Sequence, residues 1–255
     1  MAWDADKYVQ GNYFQTSVNE FFSNEYELDL QGIVLDVGCG DGQYLHQLAT
    51  HFKKAKIVGI DTSESMIQYA EKHYSRANLA FLLQNIEQEI LKDRYNTVIS
   101  FWCLHWTDLS QSLPNIYRTL KRDGQFYAVL SSLSDNSVFQ VWEKLTHHER
   151  YGELARSYQH ALEANRDYYF NLLKLMVRIP FRNVKSELRT LQIPLPNLRH
   201  FQNLLITLPF MQRVPKEQQE PLLKTMLKVY EEICEQKYAG SLFYETRPLF
   251  LKALK

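Results

Sequence analysis

Over its first 130 residues the chain alternates two hydrophobic periods. Ile33-Val34-Leu35-Asp36-Val37 is a short, β-branched apolar run closed by glycines, the pattern of a strand buried on both faces. Residues 43–52 then carry Tyr44, Leu45, Leu48 and Phe52 at helical spacing. A second strand is predicted over 57–61, and Ser63 is a natural N-cap for the following helix with Met66, Ile67 and Ala70 on one face. Strands over 80–83, 96–101 and 125–130 follow, with a helix over 110–120 before the last of them. Strands alternating with helices at this spacing predict an α/β fold with a mostly parallel sheet and helices on both faces.

From about Asp135 to Arg178 the strand signal gives way to a helical rhythm rich in aromatics, including Trp142 and Tyr169. Residues 187–195 are expected to return to the sheet. Helices over 199–208 and 216–236 follow, then a last apolar strand within 241–253. The expectation is a single domain over residues 1–255, with a helical lid insertion over 135–185.

Composition narrows the partners. The chain has 255 residues, 29 Lys plus Arg and 29 Asp plus Glu, so its formal charge is zero. Affinity dominated by phosphate neutralisation is not expected, and no basic-aromatic stripe suggests nucleic acid. No run approaches the ~18 apolar residues of a membrane span. The start of the chain has neither a basic nor an apolar leader region, so it does not read as a signal peptide. Three dispersed cysteines, Cys39, Cys103 and Cys234, suit reduced thiols in a cytoplasmic protein better than a disulfide framework or a metal site.

The chemistry is densest in Asp36-Val37-Gly38-Cys39-Gly40-Asp41-Gly42, at the carboxyl end of the first strand, where open α/β sheets bind ligands. Glycines there let backbone approach a ligand, and the next helix is expected to direct free N–H groups into the site. A tight strand–helix connection alone would explain such a turn. Asp61, at the tip of the next strand, can accept both hydroxyls of a ribose, and the pair together predicts a nucleoside-bearing cofactor.

At these residues the chain resembles the class I S-adenosylmethionine-dependent methyltransferases. Their first motif matches 36–42, and their second, an acid followed by Ser and Met, matches Asp61-Thr62-Ser63-Glu64-Ser65-Met66. The resemblance implies a Rossmann-like, seven-stranded sheet and S-adenosylmethionine as cofactor. It sets Gly38 and Gly40 against the methionine part, Asp61 on the ribose and Met66 on adenine, although Met66 would serve equally as an ordinary core residue. Asp36, Cys39, Thr62, Ile86 and Phe101 complete the implied cofactor-binding set. The family usually has Asp after the third strand; here Asn85 stands in Gln84-Asn85-Ile86, keeping a carbonyl acceptor and losing the charge.

Two further stretches, Tyr8-x-x-x-Asn12-x-x-Gln15 and Leu104-His105-Trp106, resemble a smaller group that methylates small-molecule carboxylates. It includes the trans-aconitate, juvenile hormone acid and malonyl carrier-protein methyltransferases. By this resemblance Gln15 and Trp106 hold a small-molecule carboxylic acid by their N–H groups, and 135–185 resembles the lid over the acceptor pocket. A carboxylic acid of pKa ~4 is already an anion at neutral pH, so its methylation needs no general base. His105 is either a base for a different O, N or C acceptor or a hydrogen-bonded neighbour of the cofactor. Trp102 and Trp142 read as core, Cys39 and Cys103 as small buried residues. The basic residues Arg178, Arg182, Lys185 and Arg189 form a solvated connection or a contact for an acidic carrier protein or a second carboxylate. A protein that binds S-adenosylmethionine without transferring methyl is the remaining alternative, its clue being Asn85.

Overall fold

The apolar runs become strands β1 (Ile33–Val37), β2 (Lys56–Asp61), β3 (Leu79–Leu83), β4 (Tyr95–Phe101) and β5 (Leu120–Leu130) in a computed structural model. The structure describes Tyr8 and residues 11–88, 91–131, 136–163 and 168–255. These strands pair parallel in the order β3-β2-β1-β4-β5. β9 (Leu249–Leu254) runs antiparallel beside β5, and β6 (Arg182–Leu188) runs antiparallel to β9 at the outer edge. The result is the expected seven-stranded, mostly parallel sheet.

Helices α2 (Gln43–His51), α3 (Glu64–Tyr74) and α4 (Leu109–Thr119) join successive strands. Alternate strand residues serve opposite faces, as a period of two requires. Val34, Ile57, Ile99 and Tyr127 pack with α2 and with an N-terminal helix α1 (Tyr13–Glu25). Leu35, Val98 and Phe126 pack on the other face with Leu113 and Ile116 of α4. The hydrophobic pattern did not predict α1, yet Phe14, Val18 and Phe22 fall at i, i+4 and i+8 and are buried. Strand order reverses between β1 and β4, which opens a crevice at their carboxyl ends.

Two expected strands are each split. The stretch 187–195 divides between β6 and β7 (Leu191–Pro194), and 241–253 divides between β8 (Phe243–Thr246) and β9. β7 and β8 form a separate antiparallel pair. Pro248 stands in the break before β9, where a residue without an N–H interrupts the ladder at no cost. The stretch read as a solvated basic connection is therefore mostly an edge strand. Its exposed, mainly polar sequence suits an edge and hides its strand character.

The helical region 135–185 contains α5 (Ser137–Leu145), α6 (Gly152–Glu163) and α7 (Tyr168–Arg178). α5 packs with α6, whereas Leu172 and Met176 of α7 are buried with α4 on the opposite face of the sheet. A second helical segment, α8 (Leu198–Thr207), α9 (Pro209–Arg213) and α10 (Lys216–Tyr238), lies between β7 and β8 and packs on α5 through α10. No helix among the described residues is long and apolar enough to cross a membrane.

Candidate active site

β1 delivers the glycine turn to the crevice. Gly38 takes φ +79°, and a Cβ there would lie 2.3 Å from Cβ and Sγ of Cys103, so only glycine fits. Gly40 takes φ +54°, and its Cβ would meet nothing nearer than Tyr8 at 3.8 Å. That face of the loop is open. The loop donors, however, are spent. The Gly38 and Cys39 N–H groups donate to the Ile60 carbonyl at 2.8 and 3.0 Å, and Gly42 donates to the Cys39 carbonyl at 3.1 Å. Gly40 N–H donates to Asp61 Oδ2 at 3.0 Å, and Gln43 N–H to Asp41 Oδ1 at 3.1 Å. The expectation of free N–H groups is thus corrected at Gly38, Cys39, Gly40, Gly42 and Gln43: the turn supplies shape, while the Ile60 and Cys39 carbonyls and the acids Asp41 and Asp61 accept these donors.

Asp61 fastens loop to strand. Its Oδ1 accepts from Ser63 N–H at 2.8 Å, and lone pairs remain on both oxygens for an incoming hydroxyl. Burial raises its pKa, opposed by the Ser63 and Gly40 N–H bonds. Asn12, at the start of α1, donates to Asp41 at 3.0 Å and to Gln43 at 3.2 Å, which ties that helix to the loop and carries Gln15 over the crevice.

These elements enclose a cavity of about 610 Å³. Of the residues singled out from sequence, Gln15, Gly38, Gly40, Asp61, Thr62, Met66, Asn85, Ile86, Phe101, His105 and Trp106 line it. Asp36 and Cys39 do not. Asp36 is buried behind the turn, where desolvation, and secondly the Asp61 charge, push its carboxyl up to about 8. The Cys39 side chain packs toward Gly59 of β2, whose Cβ would meet it at 2.8 Å. The structure therefore leaves both off the cavity wall: alternation along β1 turns Asp36 away, and Cys39 seats the loop on β2. The Asn85 side-chain oxygen already accepts from Glu87 N–H at 2.9 Å, so one of its lone pairs is committed.

On the opposite wall, Trp102 takes φ +61°, uncommon for a bulky residue. Its N–H groups are both used, the backbone one on Val129 O at 2.7 Å and the indole one on Asn19 Oδ1 at 2.8 Å. It lines the cavity with its ring, against Phe14 at 5.5 Å. Trp106, in the 3-10 turn Leu104–Trp106, is 55% exposed at the rim. The Gln15 amide has no described hydrogen-bond partner and faces the cavity. His105 is partly buried, with its Nδ1 shut off from solvent and without a partner among the described residues; desolvation lowers its pKa to about 4. It is a neutral imidazole at physiological pH.

The roof comes from segments far apart in sequence. Val138 and Phe139 of α5, Tyr158 of α6, Leu204 and Thr207 of α8, Phe210 and Arg213 of α9, and Tyr244 and Thr246 of β8 all reach the cavity. Trp142, fully buried, stacks on Tyr158 at 4.9 Å and meets Phe210 edge-on at 5.0 Å, so α5, α6 and α9 share one aromatic joint. Tyr158, Arg213, Tyr244 and Thr246 were not singled out from sequence. No periodicity in 209–215 announces which of its side chains faces the cavity.

The family model described as a methyltransferase domain matches residues 29–174, more than half of the chain. The chain belongs to this methyltransferase family. As a member it is an S-adenosylmethionine-dependent enzyme. The methyltransferase is 28% identical over 210 residues to the juvenile hormone acid O-methyltransferase of Bombyx mori, covering 78% of this chain and 74% of that one. It is 37% identical over 92 residues to the malonyl-[acyl-carrier protein] O-methyltransferase of Bacillus anthracis, over 36% of this chain and about a third (34%) of that one. Among solved structures it resembles phosphoethanolamine N-methyltransferase 2 of Haemonchus contortus, with S-adenosylmethionine bound there. The TM-score is 0.51 at 18% identity, over 89% of this chain and 49% of that one. That likeness shows the fold alone.

Proposed function

We propose that this methyltransferase esterifies a small-molecule carboxylic acid, with the cofactor seated on the glycine turn and Asp61. The cavity fits such a cofactor. With the N–H groups of Gly38, Cys39, Gly40 and Gly42 donating within the fold, these positions offer no cradle for a pyrophosphate, and the carboxylates among the described residues lining the cavity are Asp61 and Glu87. A cationic, phosphate-free adenosyl ligand matches that surface. Gly38 and Gly40 would lie against its methionine part, Asp61 would take the ribose hydroxyls, and Met66, Asn85 and Ile86 would border the base.

When bound, S-adenosylmethionine supplies an electrophilic methyl carbon on a sulfonium, and transfer forms an O–C bond, breaks the S–C bond and moves no proton. The protein therefore has to place and dry the acceptor rather than deprotonate it. Gln15 and Trp106 are the N–H donors assigned to the acceptor carboxylate. Phe14, Phe101 and Trp102 wall the site, where charge annihilation is favoured over separated, solvated ions. Alignment alone can supply ~7–11 kcal/mol of effective concentration.

The observation that carries this reading is His105. It is the imidazole beside the site, and burial holds it near a pKa of about 4, too weak a base for a phenol or an amine but irrelevant to an acid already ionised. The named activities of the juvenile hormone acid and malonyl carrier-protein relatives support the same acceptor class. Against carrier-protein docking, the basic stretch is largely neutralised, with Arg182 on Asp123 and Arg189 on Glu25 and Glu187.

A panel of carboxylic acids assayed for methyl ester formation tests the proposal. Wild type is expected to yield esters, and Gln15→Ala to raise the acceptor KM roughly 10–150-fold, the size of a lost hydrogen bond to a charged group. Methyl transfer solely to nitrogen, carbon or phenolic oxygen would refute it.

A further inference from the structure

The roof holds polar groups for which the transfer reaction has no use. Tyr244 is 4% exposed, and Tyr158 is half-buried beside it; both line the cavity, and neither hydroxyl has a hydrogen-bond partner among the described residues. A phenol hydroxyl that reaches the cavity without a protein partner keeps its donor available to a ligand there. Burial pushes Tyr158 up to about 12 and Tyr244 higher still, so both are proton-bearing donors throughout the working range.

Arg213 completes the set. It is the only Lys or Arg among the described residues lining the cavity, and it stands one turn after Phe210, whose ring meets Tyr158 at 5.3 Å. It is exposed, which places it at the mouth, and it pairs with no described carboxylate. The acids lining the cavity, Asp61 and Glu87, belong to the end of β2 and to the segment after β3.

We propose that Arg213, Tyr158 and Tyr244 are specificity-determining residues that read a second anionic group on the acceptor, remote from the carboxylate being methylated. This rests on the carboxylate reading above and deepens it. The acceptor class becomes a carboxylic acid carrying a further carboxylate or comparable anion, joined by an apolar segment that lies along Val138, Phe139, Leu204 and Phe210. The guanidinium takes the anion in its two-pronged geometry and the phenols donate to it. An acid with a plain hydrocarbon tail would leave all three groups unmet, and unmet buried donors penalise the wrong ligand more than a missing apolar contact does.

The test compares α,ω-dicarboxylic acids with monocarboxylic acids of equal chain length, over a series of lengths, using methyl ester formation by wild type, Arg213→Gln, Tyr158→Phe and Tyr244→Phe. Wild type is expected to favour the diacid by at least tenfold in kcat/KM at its best length. Arg213→Gln is expected to raise the diacid KM about 10–100-fold, and each Tyr→Phe about 3–10-fold, with kcat for the monoacid and affinity for S-adenosylhomocysteine unchanged. Those two unchanged quantities show that each variant is folded. Equal use of both acids by wild type, or a diacid KM insensitive to Arg213→Gln, would overturn this inference and leave ester formation standing. Absence of ester from every acid would overturn the carboxylate reading together with it.

Discussion

Gly40→Ala separates the seat of the cofactor from the stability of the turn. The left-handed φ of +54° costs an alanine ~1–2 kcal/mol. Among the described residues nothing else is strained, because the new methyl would meet no heavy atom nearer than Tyr8 at 3.8 Å. For a chain of this size each kcal/mol lowers Tm by roughly 2–4 °C, so a fall of about 2–8 °C is expected. Gly38→Ala pays the same conformational cost and also drives its Cβ to 2.3 Å from Cys103, adding ~1–3 kcal/mol of overpacking. The two variants should therefore rank clearly in thermal denaturation. Binding ranks differently. The Gly40 methyl would project into the space assigned to the methionine part of the cofactor, so calorimetry with S-adenosylhomocysteine is expected to show Kd raised at least tenfold, ~1.4 kcal/mol or more. A Gly40→Ala protein that binds within threefold of wild type would remove the cofactor from this turn. One that melts with Gly38→Ala would show that the open face does not exist.

Three further outcomes are expected. Asp36 holds its proton up to about pH 8 in the folded chain but ionises near 3.8 when unfolded, so its contribution is complete below about pH 4 and lost as pH rises through 8. Asp36→Asn should accordingly raise the urea midpoint relative to wild type at pH 8–9 and leave it nearly unchanged at about pH 4; a constant difference across that range would contradict the burial argument. With His105 held near 4, kcat/KM for a carboxylic acid should be flat between about pH 5.5 and 7.5, and an acidic limb near 6.5 that disappears in His105→Asn would restore this residue as a base. Trp142→Ala should cost ~3–5 kcal/mol in urea denaturation, whereas Trp142→Phe should cost less than half of that, because the indole N–H it deletes has no partner.

The cofactor side of the crevice was legible because its determinants are local. The strand, turn and helix of 33–51 follow from periodicity and glycine, and Asp61 lies at the tip of the neighbouring strand. Direction was less legible than position. Nothing in Asp36-Val37-Gly38-Cys39 says which side chains face the cavity; pleating turned Asp36 away from it, and the turn packed Cys39 against β2. Nor does a glycine turn announce whether its N–H groups are free; that depended on Ile60 and Asp61, brought by another strand.

The acceptor side was illegible for a deeper reason. Its wall is assembled from α1, α5, α6, α8, α9 and β8, segments that meet only when the chain has folded and whose polar members carry no periodic mark. Tyr244 looks like any strand aromatic until Phe14 and Phe201 are packed around it, at 4.6 and 6.3 Å. Arg213 looks like an ordinary charge at the end of a short helix until Phe210, one turn earlier, anchors that helix on Tyr158 and Trp142. The same division has a chemical consequence. Residues that hold the donor are bound into the sheet and its loop by backbone hydrogen bonds, so changing them costs fold as well as binding. The roof residues assigned to the acceptor would touch it through side chains alone, which leaves acceptor preference free to change on an unaltered donor site, and substitutions at Tyr158, Arg213 and Tyr244 should redirect it without unfolding the protein.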